Sequence, residues 1–425
     1  MENRSDPLVV ERPVAGGRML ARQEGRVVLV AGAIAGERVR VAIERVTRHV
    51  SFARVVEVVE PSPDRRDPPC DPACGGSAYA HIRYERQLQL KGEIVADAFR
   101  RIAKAPLASP PIVQPSPERG YRLRARLHVR QRRAGFFREG THALCDAGAT
   151  GQLLPETMAA VEATLAALDD RLADVDALAI AENVAATERV IHVEPRDGAR
   201  LDDVRGRLTL PAGVTGVTTG RRGETTTLAG ATAVTDRAPD LFRGRPPIDP
   251  DTAWTRRASS FFQGNRYLTG ALVGRVLELG RGERFVDLYA GVGLFAVALA
   301  AAGARGLAVE GDRSSAADLD GNAAPWRGRL RTVRASVEEA VTMPLDPPPD
   351  VVVLDPPRTG VTPDALRGVA AWASPRIVYV SCDPPTLARD AASLTGAGYA
   401  MTSLDAFDLF PNTPLVEVIA TFERR

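Results

Sequence analysis

Lysine is almost missing: Lys91 and Lys104 are the only two among 55 basic residues. The remainder is arginine, a bias that reflects a GC-rich genome more than a demand for guanidinium forks, although it supplies many of them. Cysteine is scarce as well. Four in 425 residues, Cys70, Cys74, Cys145 and Cys382, are too few for a secreted disulfide framework and fit a reducing compartment. No run of 18 apolar residues occurs, and the opening Met1-Glu2-Asn3-Arg4-Ser5-Asp6 is charged with no apolar core behind it. Neither a membrane span nor a secretion signal is expected, and the expected location is cytoplasmic. The net charge of +2 leaves nucleic-acid binding open, because a basic patch can hide inside a balanced total. With 44% hydrophobic and 25% charged residues, wholesale disorder and a collagen-like fibre are excluded. At roughly 150 residues per domain the chain has about two to four domains.

What is present changes character along the chain. Residues 8–60 read as short strands, Arg26 to Val30, Arg38 to Ile43 and Phe52 to Val58, separated by glycines, which predicts a small β-barrel. Prolines 61, 63, 68 and 69 end it, and a helix is expected from about Tyr84 to Ile102. From Tyr121 to Val129 the pattern alternates strictly, with Arg122, Arg124, Arg126 and His128 on one face. Eight arginines and no acid lie between Arg119 and Arg138, interleaved with Tyr121, Phe136 and Phe137. That composition suits a surface that tracks phosphates and stacks bases, with a merely solvated strand face as the alternative. Pro239 to Pro250 reads as a linker. Beyond residue 265, strands at Arg284–Leu288, Gly306–Glu310, Val351–Leu354 and Arg376–Val380 alternate with helices, predicting a doubly wound α/β sheet. The division expected is a barrel over 1–60, a central α+β domain over 61–250 and a Rossmann-like domain over 251–425.

Four strand ends carry chemistry. Gly291 and Gly293, after the strand ending Asp287-Leu288-Tyr289, let a ligand approach the backbone. The turn lacks both the third glycine of the dinucleotide fingerprint and the Gly-Lys-Ser/Thr of a phosphate loop. Glu310, ending the next strand, can accept hydrogen bonds from ribose hydroxyls, so adenosine without phosphates is the ligand indicated. Asp355-Pro356-Pro357-Arg358 ends another strand, its prolines fixing the backbone that presents Asp355. Cys382 ends the fourth. A cysteine there is more often inert packing, but a helix start and Arg389 follow it, and both favour a thiolate.

These segments form an ordered set. Phe262-Gln263-Gly264-Asn265, Asp287 through Gly293, Asp355-Pro356-Pro357-Arg358-Thr359-Gly360, Ser381-Cys382-Asp383-Pro384 and Asp408 through Glu417 resemble, in order, the RNA uracil-5-methyltransferase family. Residues 8–60 resemble the RNA-binding TRAM barrel that precedes many members. The resemblance implies S-adenosyl-L-methionine as cofactor, an RNA partner, ribosomal slightly ahead of transfer RNA because of the barrel, and a monomeric enzyme with no membrane partner. It implies Cys382 as the nucleophile that adds to C6 of uracil and Glu417 as the base that removes the C5 proton. It assigns Gln263, Tyr289, Gly291, Glu310 and Asp355 to the cofactor, with Asn265 on the same pocket wall. The target uridine must leave its stack to reach Cys382.

Three departures accompany the match. Many members hold an iron–sulfur cluster on four cysteines; here Ser77 stands at the third position, Thr150 near the fourth, and Cys145 falls about five residues early. Two thiolates do not make such a site, so loss of the cluster is expected over rescue by Cys145, and no metal is assigned. Leu415 replaces a frequent histidine two residues before Glu417, and Ala335-Ser336 replaces a Gly-Asp pair that usually meets the adenine. Two other readings share the scaffold. Cytosine C5 methylation would use a second cysteine near the Asp-Pro-Pro strand, where Leu354 and Arg358 stand. An RNA-binding protein with an inactive methyltransferase domain is opposed by the presence of Gln263, Glu310, Asp355, Cys382 and Glu417.

Overall fold

The computed structural model describes residues 6–221 and 225–425; the charged segment before Asp6 lies outside them. Alternating apolar residues drive the first element to close on itself, because a sheet this narrow buries one face only as a barrel. Strands Leu8–Pro13, Met19–Gln23, Arg26–Ala31, Arg38–Val46 and Val50–Glu60 form that closed barrel, the last lying between the third and fourth. Val10, Met19, Ala21, Val28, Val30, Val39 and Ala53 fill it.

The C-terminal half is an eight-stranded sheet. Leu330–Arg334, Arg305–Glu310, Arg284–Leu288, Val351–Leu354 and Arg376–Ser381 run parallel, and Glu417–Arg424 and Tyr399–Phe407 follow as an antiparallel pair. The strands read from the sequence here agree to within one residue at each end. The helices Thr269–Leu279 and Leu294–Ala301 cover one face, Pro363–Ala371 and Pro384–Gly396 the other, so the central strands are buried on both sides and read as continuous Val/Ile/Leu runs.

Between them stands a seven-stranded sheet containing Arg124–Arg130, Val175–Glu182 and Arg189–Pro195. Leu127 and Val129 pack under the helix Pro155–Ala167 through Val161 and Leu165, leaving the arginine face on the other side.

Packing joins segments on either side of residue 250. The helix Tyr84–Ala98 lies against Pro384–Gly396, and its Val95 and Ala98 share a core with Val352, Tyr379 and Leu387. Val113–Gln114 adds an eighth strand, parallel to Tyr399–Phe407. The supposed linker is also packed: Ala238, Leu241 and Ile248 are buried with Leu272 and Val273. Gly270 makes this approach possible, since a Cβ there would sit 2.1 Å from the Leu241 carbonyl oxygen. Prolines mark where regular structure stops, and that is a different matter from where packing stops. No described helix is long and apolar enough to cross a membrane.

Candidate active site

The carboxyl ends of the parallel strands open into a cavity of about 680 Å³. Gln263, Tyr289, Gly291, Glu310, Asp355, Cys382 and Glu417, the residues singled out in the sequence, all line it. At its floor Tyr289 takes φ 62° and Gly291 φ 58°, a left-handed turn that tyrosine rarely adopts. A Cβ at Gly291 would meet nothing nearer than the Phe261 carbonyl oxygen at 3.7 Å, so that backbone faces open space.

Glu310 reaches back over this turn. Its Oε2 accepts the Gly291 N–H and its Oε1 the Asp312 N–H, each at 2.7 Å. Burial pushes its pKa up, and those N–H groups pull the other way. The carboxylate is therefore locked in place with lone pairs left over for ligand hydroxyls. Beneath it Asp287 is fully buried, and neither carboxylate oxygen finds a partner among the described residues. Burial raises its pKa far above the usual range, and the charges of Asp355 and Glu310 add to the rise. The two carboxyls that line the cavity here, Glu310 and Asp355, form no ion pair among the described residues and fit a ligand that carries positive charge, with Asp287 behind them. S-adenosyl-L-methionine, with a sulfonium, an ammonium and ribose hydroxyls, is a ligand of that kind.

The cavity carries the other sign as well. Arg122 and Arg124 line it, and the Arg124 guanidinium lies 5.4 Å from the ring centre of Phe261, itself 55% exposed. Burial, and then the charges of Arg256 and Arg122, bring the Arg124 pKa down to about 10. Residue type alone does not single out Phe261; its position two residues before Gln263 is the available signal.

Asp355, Glu417 and Cys382 line the same cavity. Asp355 accepts from Gln263 Nε2 at 3.2 Å, and burial moves its pKa up to about 7. Glu417, buried at the start of its strand, is raised well above the carboxylate range by burial and by Asp355, with Arg358 opposing. The Cys382 thiol is pushed up to about 11 by burial and by Glu417, while Arg358 holds it back through charge and a hydrogen bond.

Several expectations are corrected here. Arg389 does not serve the thiol: it lies one turn along the helix, donating from Nε to Asp390 at 2.8 Å and from Nη2 to the Thr359 carbonyl at 3.1 Å. It braces the loop that presents Arg358, and Arg358 is the cation at Cys382. Asn265 is not on the pocket wall. Its amide donates to Ser116 Oγ and to the Leu409 carbonyl, and its Oδ1 accepts from Tyr267 and Leu268. Ser336 spends its hydroxyl on a capping box with Glu339 at the head of the helix Val337–Ala340.

The arginine strand is not a free cationic face either. Arg126 is paired with Glu194 at 2.7 Å and Asp176 at 3.1 Å, and Arg130 with Asp176 at 3.1 Å. Arg122 donates to Gln152 and to the Arg124 carbonyl. The compensating acids come from neighbouring strands and so are invisible in the segment itself. Cys74 and Cys145, 71 residues apart, form a disulfide. Thr150 donates its hydroxyl to the Ala147 carbonyl at 2.6 Å, Ser77 is buried, and Cys70 is a free thiol. This donor set does not fit a four-thiolate cluster.

Asp355 yields a stability prediction. Its folded-state pKa stands above its unfolded value, so the protonated form is the one the fold favours. That contribution is complete below about pH 4 and is lost as pH rises through about 7. Asp355→Asn is expected to raise the melting temperature by several degrees at pH 8 and by distinctly less at pH 5. Equal shifts at both pH values, read by calorimetry, would show that the carboxyl is not burdened by burial.

Comparison with known proteins follows this geometry. The tRNA (uracil-5-)-methyltransferase profile matches residues 349–425, and the TRAM domain profile residues 7–56. The chain is 34% identical to the 23S rRNA (uracil(1939)-C(5))-methyltransferase of Thiobacillus denitrificans, over 96% of this chain and 97% of that protein. The enzyme of the same description from Pseudomonas putida is 32% identical, over 98% and 93%. Among solved structures, the Pyrococcus abyssi tRNA (uracil-54, C5)-methyltransferase in complex with S-adenosyl-L-homocysteine superposes with a TM-score of 0.73 at 23% identity, covering 98% of this chain and 99% of that one.

Proposed function

The chain belongs to the RNA uracil-5-methyltransferase family, and from that premise we propose that it methylates C5 of one uridine in 23S ribosomal RNA. The observation that carries the chemistry is a strand register. Ser381 pairs with Val418 across antiparallel strands, so the next residue outward on each strand, Cys382 and Glu417, stand side by side at the sheet edge.

C5 of uracil is a poor nucleophile. Addition of the Cys382 sulfur to C6 turns the ring into an enolate, whose C5 then carries the electron pair for the new carbon–carbon bond. Bound S-adenosyl-L-methionine supplies a methyl group made electrophilic by its sulfonium. Glu417 then takes the C5 proton, the ring electrons return, and the C6–S bond breaks to free Cys382. The thiol proton passes to solvent before attack, and Arg358, the cation common to Cys382 and Glu417, stabilises the resulting thiolate and the sulfur as it is later expelled. Glu310, Gln263, Asp355 and the Gly291 backbone hold the cofactor, and Arg122, Arg124 and Phe261 receive the base.

RNA has a route to this mouth. A groove of about 650 Å³ shares Arg122, Arg124 and Ser259 with the cavity and runs over the central sheet to Arg221. The preference for ribosomal RNA rests on the relatives' sequences. The barrel does not carry it, because the archaeal transfer-RNA enzyme matches this chain along nearly its full length. A cytoplasmic, monomeric enzyme is consistent with this reading. Mapping 5-methyluridine in total RNA, with and without the gene, is expected to reveal one 23S position that loses its methyl group. A lost transfer-RNA position instead would replace the substrate, and no change in any RNA would defeat the reading.

A further inference from the structure

Lys91 is one of only two lysines and is completely buried, in a chain that otherwise takes its cations from arginine. It lies on the helix Tyr84–Ala98, outside the cavity, and has no part in the chemistry above. Its ammonium donates to Asp408 Oδ1 at 2.5 Å and to the Phe410 carbonyl at 3.0 Å. Asp408 follows the strand Tyr399–Phe407 and also accepts the Phe410 N–H at 3.1 Å. One helical turn before Lys91, Gln87 holds Asn412 from both sides, donating to its Oδ1 at 3.0 Å and accepting its N–H at 2.9 Å.

The helix thus grips positions 408, 410 and 412 of one loop. That loop presents Phe410 to the cavity and runs directly into Glu417. A compact ammonium can serve a carboxylate and a carbonyl within a closed space, where a planar guanidinium needs more room. This accounts for a lysine where the chain's bias would place arginine.

We propose that Lys91 is a positioning residue for methyl transfer: through Asp408 and Phe410 it sets the loop that aims Glu417 at the C5 proton. The inference rests on the reading of Glu417 as the base. Cys382 is delivered by a different strand, so attack at C6 does not depend on this loop, whereas proton removal and release do. A displacement of about 1 Å in a reacting group costs about a hundredfold in rate.

Two variants test this. Lys91→Gln combined with Asp408→Asn leaves no uncompensated buried charge, and Gln87→Leu loosens the same loop without altering charge. Each is mixed with S-adenosyl-L-methionine and 23S rRNA from cells lacking the gene, and the methyl-transfer burst and the lifetime of the covalent protein–RNA adduct are followed. The adduct is expected to persist about 10- to 100-fold longer than in the parent, while burst and cofactor affinity stay within about threefold. A purely structural role would lower burst and release together, in proportion to the folded fraction measured by calorimetry, and that result overturns the proposal. So does an unchanged adduct lifetime; if the double variant does not fold, Gln87→Leu decides by the same readings. Glu417→Gln run in parallel separates the two ideas: no adduct there removes the base assignment, whereas an adduct there but not in the loop variants removes only the role of Lys91.

Discussion

Cys382→Ala is expected to reduce methyl transfer to below about 1% of the parent rate under single-turnover conditions, because no other group can make C5 nucleophilic at neutral pH. Cys382 and Cys70 are the free cysteines, and only Cys382 lies in the cavity. The side chain is half-buried, so its truncation opens little space and the fold should persist. Cofactor affinity, measured by calorimetric titration, should change by less than about twofold, since the residues that hold the cofactor are untouched. Because burial and Glu417 keep the thiol protonated, with a pKa of about 11, the parent's rate of adduct formation should also climb with pH from 7 to 9 without a plateau. The sign follows from the reactive species: the thiolate fraction grows as pH approaches the thiol's pKa from below. Retention of more than a few per cent of activity by Cys382→Ala would end the thiolate mechanism.

Glu417→Gln should fail at the other end of the reaction. The substitution conserves shape and removes an acid that burial and Asp355 already penalise, so the folded protein should be at least as stable above neutral pH. Attack at C6 and methylation need only Cys382 and the cofactor. Proton removal at C5 needs the carboxylate, and loss of a general base slows such a step by about 10² to 10⁴-fold. The expected outcome is one methyl group per enzyme and a covalent protein–RNA adduct that survives denaturing electrophoresis. Free, fully methylated RNA at the parent rate would mean that another base takes the proton, with Asp355 the nearest carboxyl to examine.

The two results bear on different strands, and their conjunction is what the sequence could not supply. The place of Cys382 at the end of a Val/Tyr-rich strand before a proline-initiated helix was legible from local context, whereas Glu417 was marked only by the family resemblance of the segment Asp408 through Glu417. Four of the five parallel strands from Arg284 to Ser381 were equally legible, because an apolar run bounded by turn residues is encoded within a few neighbours; the edge strand Leu330–Arg334, with three arginine or threonine positions in five, lacks such a run. Gly291 and Glu310 could be assigned to one ligand from strand order alone, since consecutive parallel strands end at the same edge.

Contacts between distant segments were not legible. Arg126 and Arg130 stand in a stretch without acids, and only the adjoining strands bring Asp176 and Glu194 against them. Arg389 follows Cys382 closely in sequence and Arg358 stands in a separate segment; helix phase turns the nearer one away and the loop brings the distant one in. Asn265 sits two residues from Gln263, yet strand and loop geometry sends one side chain to the cavity and the other to Ser116 and Leu409. The sequence by itself determined the elements, their order and the residue types available at the sheet edge, because backbone propensity and hydrophobic period act over a short window. Tertiary structure decided which charges cancel, which thiol meets which acid, and that Lys91 reaches Asp408. Those pairings depend on register and packing between segments far beyond any local window, from 46 residues apart for Arg130 and Asp176 to 317 for Lys91 and Asp408, where a shift of one residue turns a side chain to the opposite face.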